Sequence, residues 1–138
     1  VSQQLAQLGA DLIAAWNSHE PDRVAALYAA DFVGLDIAQP KPQVGAEGIR
    51  RCLTGSFQAF PDLHISADAT VIDHCQMVLV WTARGTQQGT LMNIPPTGRP
   101  VQVQGMTLIT IQDGRIARSQ SVWDLAGLLR AIGLLPEL

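Results

Sequence analysis

The strongest constraint in this sequence is a change of hydrophobic period at Pro61. In the segments ahead of it that carry apolar stripes these recur every three to four positions, and directly beyond it they recur every second position. The first spacing gives a helix one apolar face; the second gives a strand one apolar side. Leu5, Leu8, Leu12, Ile13 and Trp16 predict an amphipathic helix over Ser2–Asn17, with Gln3, Gln7 and Asp11 on its opposite face. After the Asn17-Ser18-His19 break, Pro21 stands where a first helical turn tolerates it, and Val24, Leu27 and Tyr28 form a second short stripe. Asp31–Asp36 reads as an extended segment, followed by a loop at Gln39-Pro40-Lys41-Pro42, where the prolines forbid helix and central strand alike. Ile49, Leu53, Phe57 and Phe60 predict a third helix over Ala46–Phe60, which Pro61 ends.

Past that point Leu63, Ile65, Ala67, Ala69 and Val71 alternate with His64, Ser66, Asp68 and Thr70, the pattern of a strand with one wet face. Further strands are expected over Met77–Gly89, Val101–Ile111 and Arg115–Trp123, the last two joined at the hairpin signal Gln112-Asp113-Gly114. Leu125, Leu128, Leu129 and Ile132 predict a short final helix closed by Gly133. Helices first and an antiparallel meander second define an α+β class, with helices covering one face of the sheet. Gly85, Gly89 and Gly105 fall inside the expected strands, where glycine marks sharp curvature or the close approach of another group. A sheet curved in this way around helices leaves a blind pocket.

With 138 residues, 47% of them hydrophobic and 15% charged, the chain suits one globular domain spanning 1–138 and is too apolar for a disordered one. A net charge of −3 and a single lysine, Lys41, exclude the basic stripe that nucleic acid demands. No apolar run, Met77–Trp81 included, approaches the ~20 residues of a membrane span. The opening Val1-Ser2-Gln3-Gln4 carries no basic segment ahead of an apolar one, so a cytoplasmic location is expected. Cys52 and Cys75 are then expected as free buried thiols. Three histidines and two cysteines show no metal-ligand spacing, and no phosphate loop or dinucleotide fingerprint is present. Neither a metal nor an organic cofactor is expected.

Several stretches together carry a resemblance. They are Ala15-Trp16-Asn17-Ser18-His19-Glu20-Pro21-Asp22, Phe60-Pro61-Asp62-Leu63, Gly85-Thr86-Gln87-Gln88-Gly89, Ile94-Pro95-Pro96-Thr97-Gly98-Arg99-Pro100, Asp113-Gly114-Arg115-Ile116 and Trp123-Asp124-Leu125. In their order and spacing they resemble the SnoaL-like polyketide cyclases, over almost the whole chain. The resemblance implies a cone-shaped α+β barrel related to nuclear transport factor two and ketosteroid isomerase, with a strongly curved, mainly antiparallel sheet. It further implies a deep apolar pocket, a homodimer formed through the outer sheet face, and cofactor-free ring closure of a hydrophobic polyketide intermediate. On this chain, the aspartate that serves the aldol cyclases as base is replaced by Ser121. A histidine of their pocket is replaced by Thr107, and the histidine of their Gly-Thr-His motif by Gln87. By likeness to ketosteroid isomerase, Asp36 falls on the general-base position, while Leu12 replaces the tyrosine that polarises the substrate carbonyl.

Asp36 is therefore the leading acid–base candidate. It ends the apolar stretch Phe32-Val33-Gly34-Leu35, and desolvation makes a carboxylate a stronger base. Asp124 is either its partner or the N-cap of the final helix. Trp16, Trp81, Met92 and Trp123 are expected to line the cone and to suit a flat substrate, unless they only pack the core. Gly105 shares the pocket face with Thr107. Gln87, Thr107 and Ser121 would offer neutral hydrogen bonds to substrate oxygens. Gln102 and Gln104 alternate to the outer face and are interface candidates. The functions left open are a cyclase-like enzyme, a non-catalytic carrier or dimerisation module for a small ligand, and a cofactor-free hydroxylase.

Overall fold

The computed structural model describes residues 2–137, so Val1 and Leu138, at the ends of the expected domain, lie outside the described residues. Helices α1 (Ser2–Ser18) and α2 (Pro21–Ala25) lead into β1 (Tyr28–Asp36) and the two-residue β2 (Gln43–Val44). Helix α3 (Gly45–Ala59) precedes the meander β3 (His64–Asp73), β4 (Gln76–Thr86), β5 (Pro100–Gln112) and β6 (Arg115–Trp123), and α4 (Leu125–Ala131) closes the order. The six strands form one mixed sheet in the order β2-β1-β6-β5-β4-β3. Helices pack on its concave face, as the α+β pattern requires.

Local chemistry accounts for the boundaries. Pro21 starts α2, where its missing N–H costs no hydrogen bond. Asp113 and Gly114 both take positive φ, the geometry of a tight hairpin, between β5 and β6. Asp124 caps α4 by accepting the Gly127 N–H at 2.8 Å. At the other end, Gly133 with φ 88° lets its own N–H reach the Arg130 carbonyl and lets Leu134 reach Leu129. That pair of bonds is the Schellman closure.

The core falls into two clusters. One joins Leu12, Val24, Phe32, Leu53, Met77, Leu79, Ile109 and Ile116 under α1, α2 and α3. The other joins Ala59, Phe60, Ala83, Val101, Val103, Leu128 and Ile132 under α4. Trp81 touches both. The end of α1 is tied to the sheet by Asn17, whose amide accepts the Ile65 N–H at 2.8 Å and donates to the Ile65 carbonyl at 2.9 Å. His19 Nε2 adds a bond to the Leu63 carbonyl at 2.7 Å.

The structure corrects several expectations. The alternation of β3 breaks at a bulge between Ala67 and Ala69, which leaves Asp68 without a Cα partner on β4. One extra residue reverses every later side chain. Val71, expected inside, is therefore 63% exposed, while Ile72 packs on the first cluster. Tyr28 belongs to β1 and not to the second helix, and β1 runs parallel to β6, a pairing no local pattern announces. Strand β4 ends at Thr86, which puts Gly89 in the following loop, where its N–H bonds the Ala59 carbonyl. Both cysteines are free, but Cys75 sits exposed in the β3–β4 turn.

Candidate functional site

Strand register brings the central residues together. On the concave face Asp36 pairs with Ser121, Ser121 with Thr107, and Thr107 with Leu79, making one row across β1, β6, β5 and β4. The next row on that face is Trp123, Gly105 and Trp81. A Cβ at Gly105 would collide with the Trp81 ring and with Trp123 Cβ, so glycine is required for both indoles to lie over this strand. Each indole turns its N–H back to the first row. Trp123 Nε1 donates to Asp36 Oδ1 at 2.9 Å, and Trp81 Nε1 donates to Thr107 Oγ1 at 3.0 Å. Thr107 Oγ1 and Ser121 Oγ lie 2.9 Å apart in a further hydrogen bond.

Asp36 Oδ1 also accepts the Ala38 N–H at 2.9 Å. Two donors thus fix the carboxylate on one oxygen, and Oδ2 takes no hydrogen bond among the described residues. Asp36, Trp81, Thr107, Ser121 and Trp123 are all half-buried, whereas Met77, Leu79 and Ile109 on the same face are sealed in the core. The polar row therefore lies half-buried between the two clusters, and the deep apolar pocket that the resemblance implies is not seen over it among the described residues. Two surface depressions lie elsewhere. One of about 430 Å³ surrounds Asp62, His64 and Arg84, and another of about 440 Å³ surrounds Asp31, Asp113 and Arg115.

Four of the expected site residues sit apart from this row. Trp16 is on α1, edge-to-face with Phe57 at 5.9 Å, packed on the first cluster. Gln87 is fully buried, and its amide is occupied: Nε2 donates toward the carbonyls of Gly89, Ile94 and Pro95, and Oε1 accepts from Thr97 at 2.7 Å. A buried amide must satisfy its groups, and this one does so by bracing the loop after β4. Met92 does not line the interior; it occupies a loop position with φ 48° and is 38% exposed. Asp124 is exposed and acts as the α4 cap.

The Tyr28 phenol, and the Cys52 thiol already expected to be buried, are two further polar groups of the interior. Burial pushes the Tyr28 phenol well above its ordinary range; the neighbouring Cys52 thiol adds to that, and the Trp16 indole opposes it. Burial likewise pushes the Cys52 thiol up, opposed by a hydrogen bond with Gln43. Both stay neutral near pH 7. Tyr28 escaped notice because it continued a helical stripe. Among the described residues no group of three or more histidine, cysteine, aspartate or glutamate side chains could hold a metal ion. No described helix is long and apolar enough to cross a membrane.

A curved mixed sheet closed by helices, with one anchored carboxylate on its concave face, defines an α+β class that many chemistries share. Within that class the chain belongs to the SnoaL-like polyketide cyclase family, whose model matches residues 7–132. Among solved structures, TsrD from Streptomyces laurentii is 27% identical with a TM-score of 0.87, over 96% of this chain and 97% of its own. IdmH from Streptomyces antibioticus, a candidate polyketide cyclase, is 26% identical with a TM-score of 0.80, over 93% of this chain and 97% of its own. AclR from Streptomyces galilaeus, a candidate hydroxylase, has a TM-score of 0.86 at 24% identity, over 99% of this chain and 85% of its own. No curated protein matches the chain.

Proposed function

We propose that this protein is a cofactor-independent, cyclase-like enzyme that holds a flat hydrophobic polyketide intermediate against the concave row and promotes ring closure or a related proton-transfer rearrangement. The observation that carries the reading is the Asp36 carboxylate, anchored through Oδ1 by Trp123 and Ala38 and left with Oδ2 free. Such a group can take a proton from a carbon next to a carbonyl without reorienting first. The electron pair of that C–H bond moves into a carbon–carbon double bond, and the carbonyl pair moves onto oxygen. Trp81 and Trp123 would offer flat apolar walls, their N–H groups being already engaged by the protein.

The same reading places a second copy of the chain on the outer sheet face. Leu35, Met106 and Val122 are 48%, 51% and 50% exposed there, an apolar group bordered by the polar Gln102 and Gln104. A cytoplasmic location and a place in secondary metabolism go with this proposal.

The test uses 2-tetralone, a flat bicyclic ketone, in deuterated buffer, with α-hydrogen exchange followed by proton NMR. The wild-type protein should accelerate exchange, and Asp36→Asn should remove about 100-fold of that rate. Binding of the ketone with no acceleration would make the protein a carrier, and equal rates for both proteins would dismiss Asp36 as the base.

A further inference from the structure

Resting on the reading of Asp36 as base, we infer that Ser121 is a catalytic hydrogen-bond donor, aimed at the oxygen of an enolisable carbonyl and supported by Thr107 and Trp81. An indole N–H can only donate, so Thr107 Oγ1 is an acceptor toward Trp81. Between Thr107 and Ser121 either hydroxyl could give the proton. If Ser121 gave it, Thr107 would accept twice, and its own hydrogen would have no acceptor among its described hydrogen-bond partners. If Thr107 gives it, the Ser121 hydrogen is released toward the next strand. Its neighbour there is Asp36, paired with it across the parallel β1–β6 ladder, at a strand spacing of about 4.8 Å. Either way one hydroxyl hydrogen is left without a described partner; in the second arrangement it is that of Ser121, on the face that Asp36 shares, where a substrate oxygen can accept it.

The chain of donors therefore runs from Trp81 to Thr107 to Ser121, and each bond polarises the next. Its free end lies on the strand next to Asp36, on the same face of the sheet. A carbonyl compound seated there meets a base at its α-carbon and a donor at its oxygen. As Oδ2 removes the α-proton, charge grows on the carbonyl oxygen, and the Ser121 hydrogen bond strengthens with it. The proton held by Asp36 is then returned to carbon or to the alkoxide formed on ring closure, so nothing external is consumed. Serine thus supplies a polarising donor at a position where it could not serve as a base.

The experiment is binding of 2-naphthol, a flat stable mimic of an enol, titrated by its fluorescence against wild type, Ser121→Ala, Thr107→Val and Thr107→Ser, with thermal melting to confirm folding. Ser121→Ala should weaken binding about tenfold, the scale of one lost hydrogen bond. Thr107→Val should weaken it about threefold, and Thr107→Ser should restore it, because only the hydroxyl matters. Saturable wild-type binding that Ser121→Ala leaves unchanged would overturn the donor role while leaving the Asp36 assignment to its exchange assay. Equal losses in Thr107→Val and Thr107→Ser would reduce the relay to packing and overturn it as well. Failure of the wild-type protein to bind either 2-naphthol or 2-tetralone would overturn both readings together.

Discussion

Thr107–Ser121 and Met106–Val122 are consecutive rungs of the same two strands, and they invert the usual rule. The polar rung faces the helices, and the apolar rung faces outward with both side chains about half exposed. A strand with one buried side ordinarily does the opposite. Further along the same strands the rule is restored, since Ile109 and Ile116 are fully packed inside. The inversion is therefore local and marks both faces at the level of Thr107. Inward polar groups there are useful only if something polar meets them, and outward apolar groups only if something covers them.

This contrast can be broken from either side. The largest effect belongs inside, to the loss of exchange in Asp36→Asn described above. Next comes Gly105→Ala, which forces a methyl group against both indoles and should cost about 1–3 kcal/mol in urea unfolding, with a shift in tryptophan emission. Unaltered stability and emission would show that the indoles do not depend on that glycine. On the outer face, the double substitution Met106→Lys and Val122→Lys should convert a dimer to monomers in sedimentation velocity while the melting profile stays cooperative; an unchanged oligomer would remove the outward half of the comparison. Asp124→Ala should cost about 1 kcal/mol through the lost cap and leave 2-tetralone exchange intact. A hundredfold loss of exchange would instead make Asp124 a second acid–base group. The smallest effect lies far from both faces. The Thr86 N–H, followed by its hydroxyl, holds the Asp62 carboxyl below the usual carboxylate range. A lowered folded value gives stability above the unfolded value, near pH 4, and loses it as pH falls through the folded one. Asp62→Asn should therefore flatten the acid limb of the stability profile, measured by urea midpoints.

Much of this architecture is legible in the sequence because its signals are local. The switch of period at Pro61, the Asp113-Gly114 turn and the Asp124 to Gly133 helix each follow from residues a few positions apart. The family resemblance stood on similarly short stretches spaced along the chain. What escaped depends on partners distant in sequence. Asp68 becomes a bulge through the register that β4 imposes, and Thr82 donates to its carboxylate at 2.6 Å. Tyr28 leaves its helical stripe to pair beside Ile116. The same distinction divides the candidate site. Thr107 and Ser121 meet within the expected β5–β6 hairpin, but Asp36 joins them only through the parallel β1–β6 pairing. Gln87 looked like a ligand group because the carbonyls that consume its amide lie up to eight positions downstream, in a loop without periodicity.

The Asn17 side chain has a consequence for how the molecule behaves in company. By answering both peptide groups of Ile65 it imitates an adjoining strand, so a stray extended peptide finds no vacancy at that end of the border. Addition of a strand along β3 is therefore left only the stretch beyond Ile65, where the bulge at Asp68 interrupts the ladder.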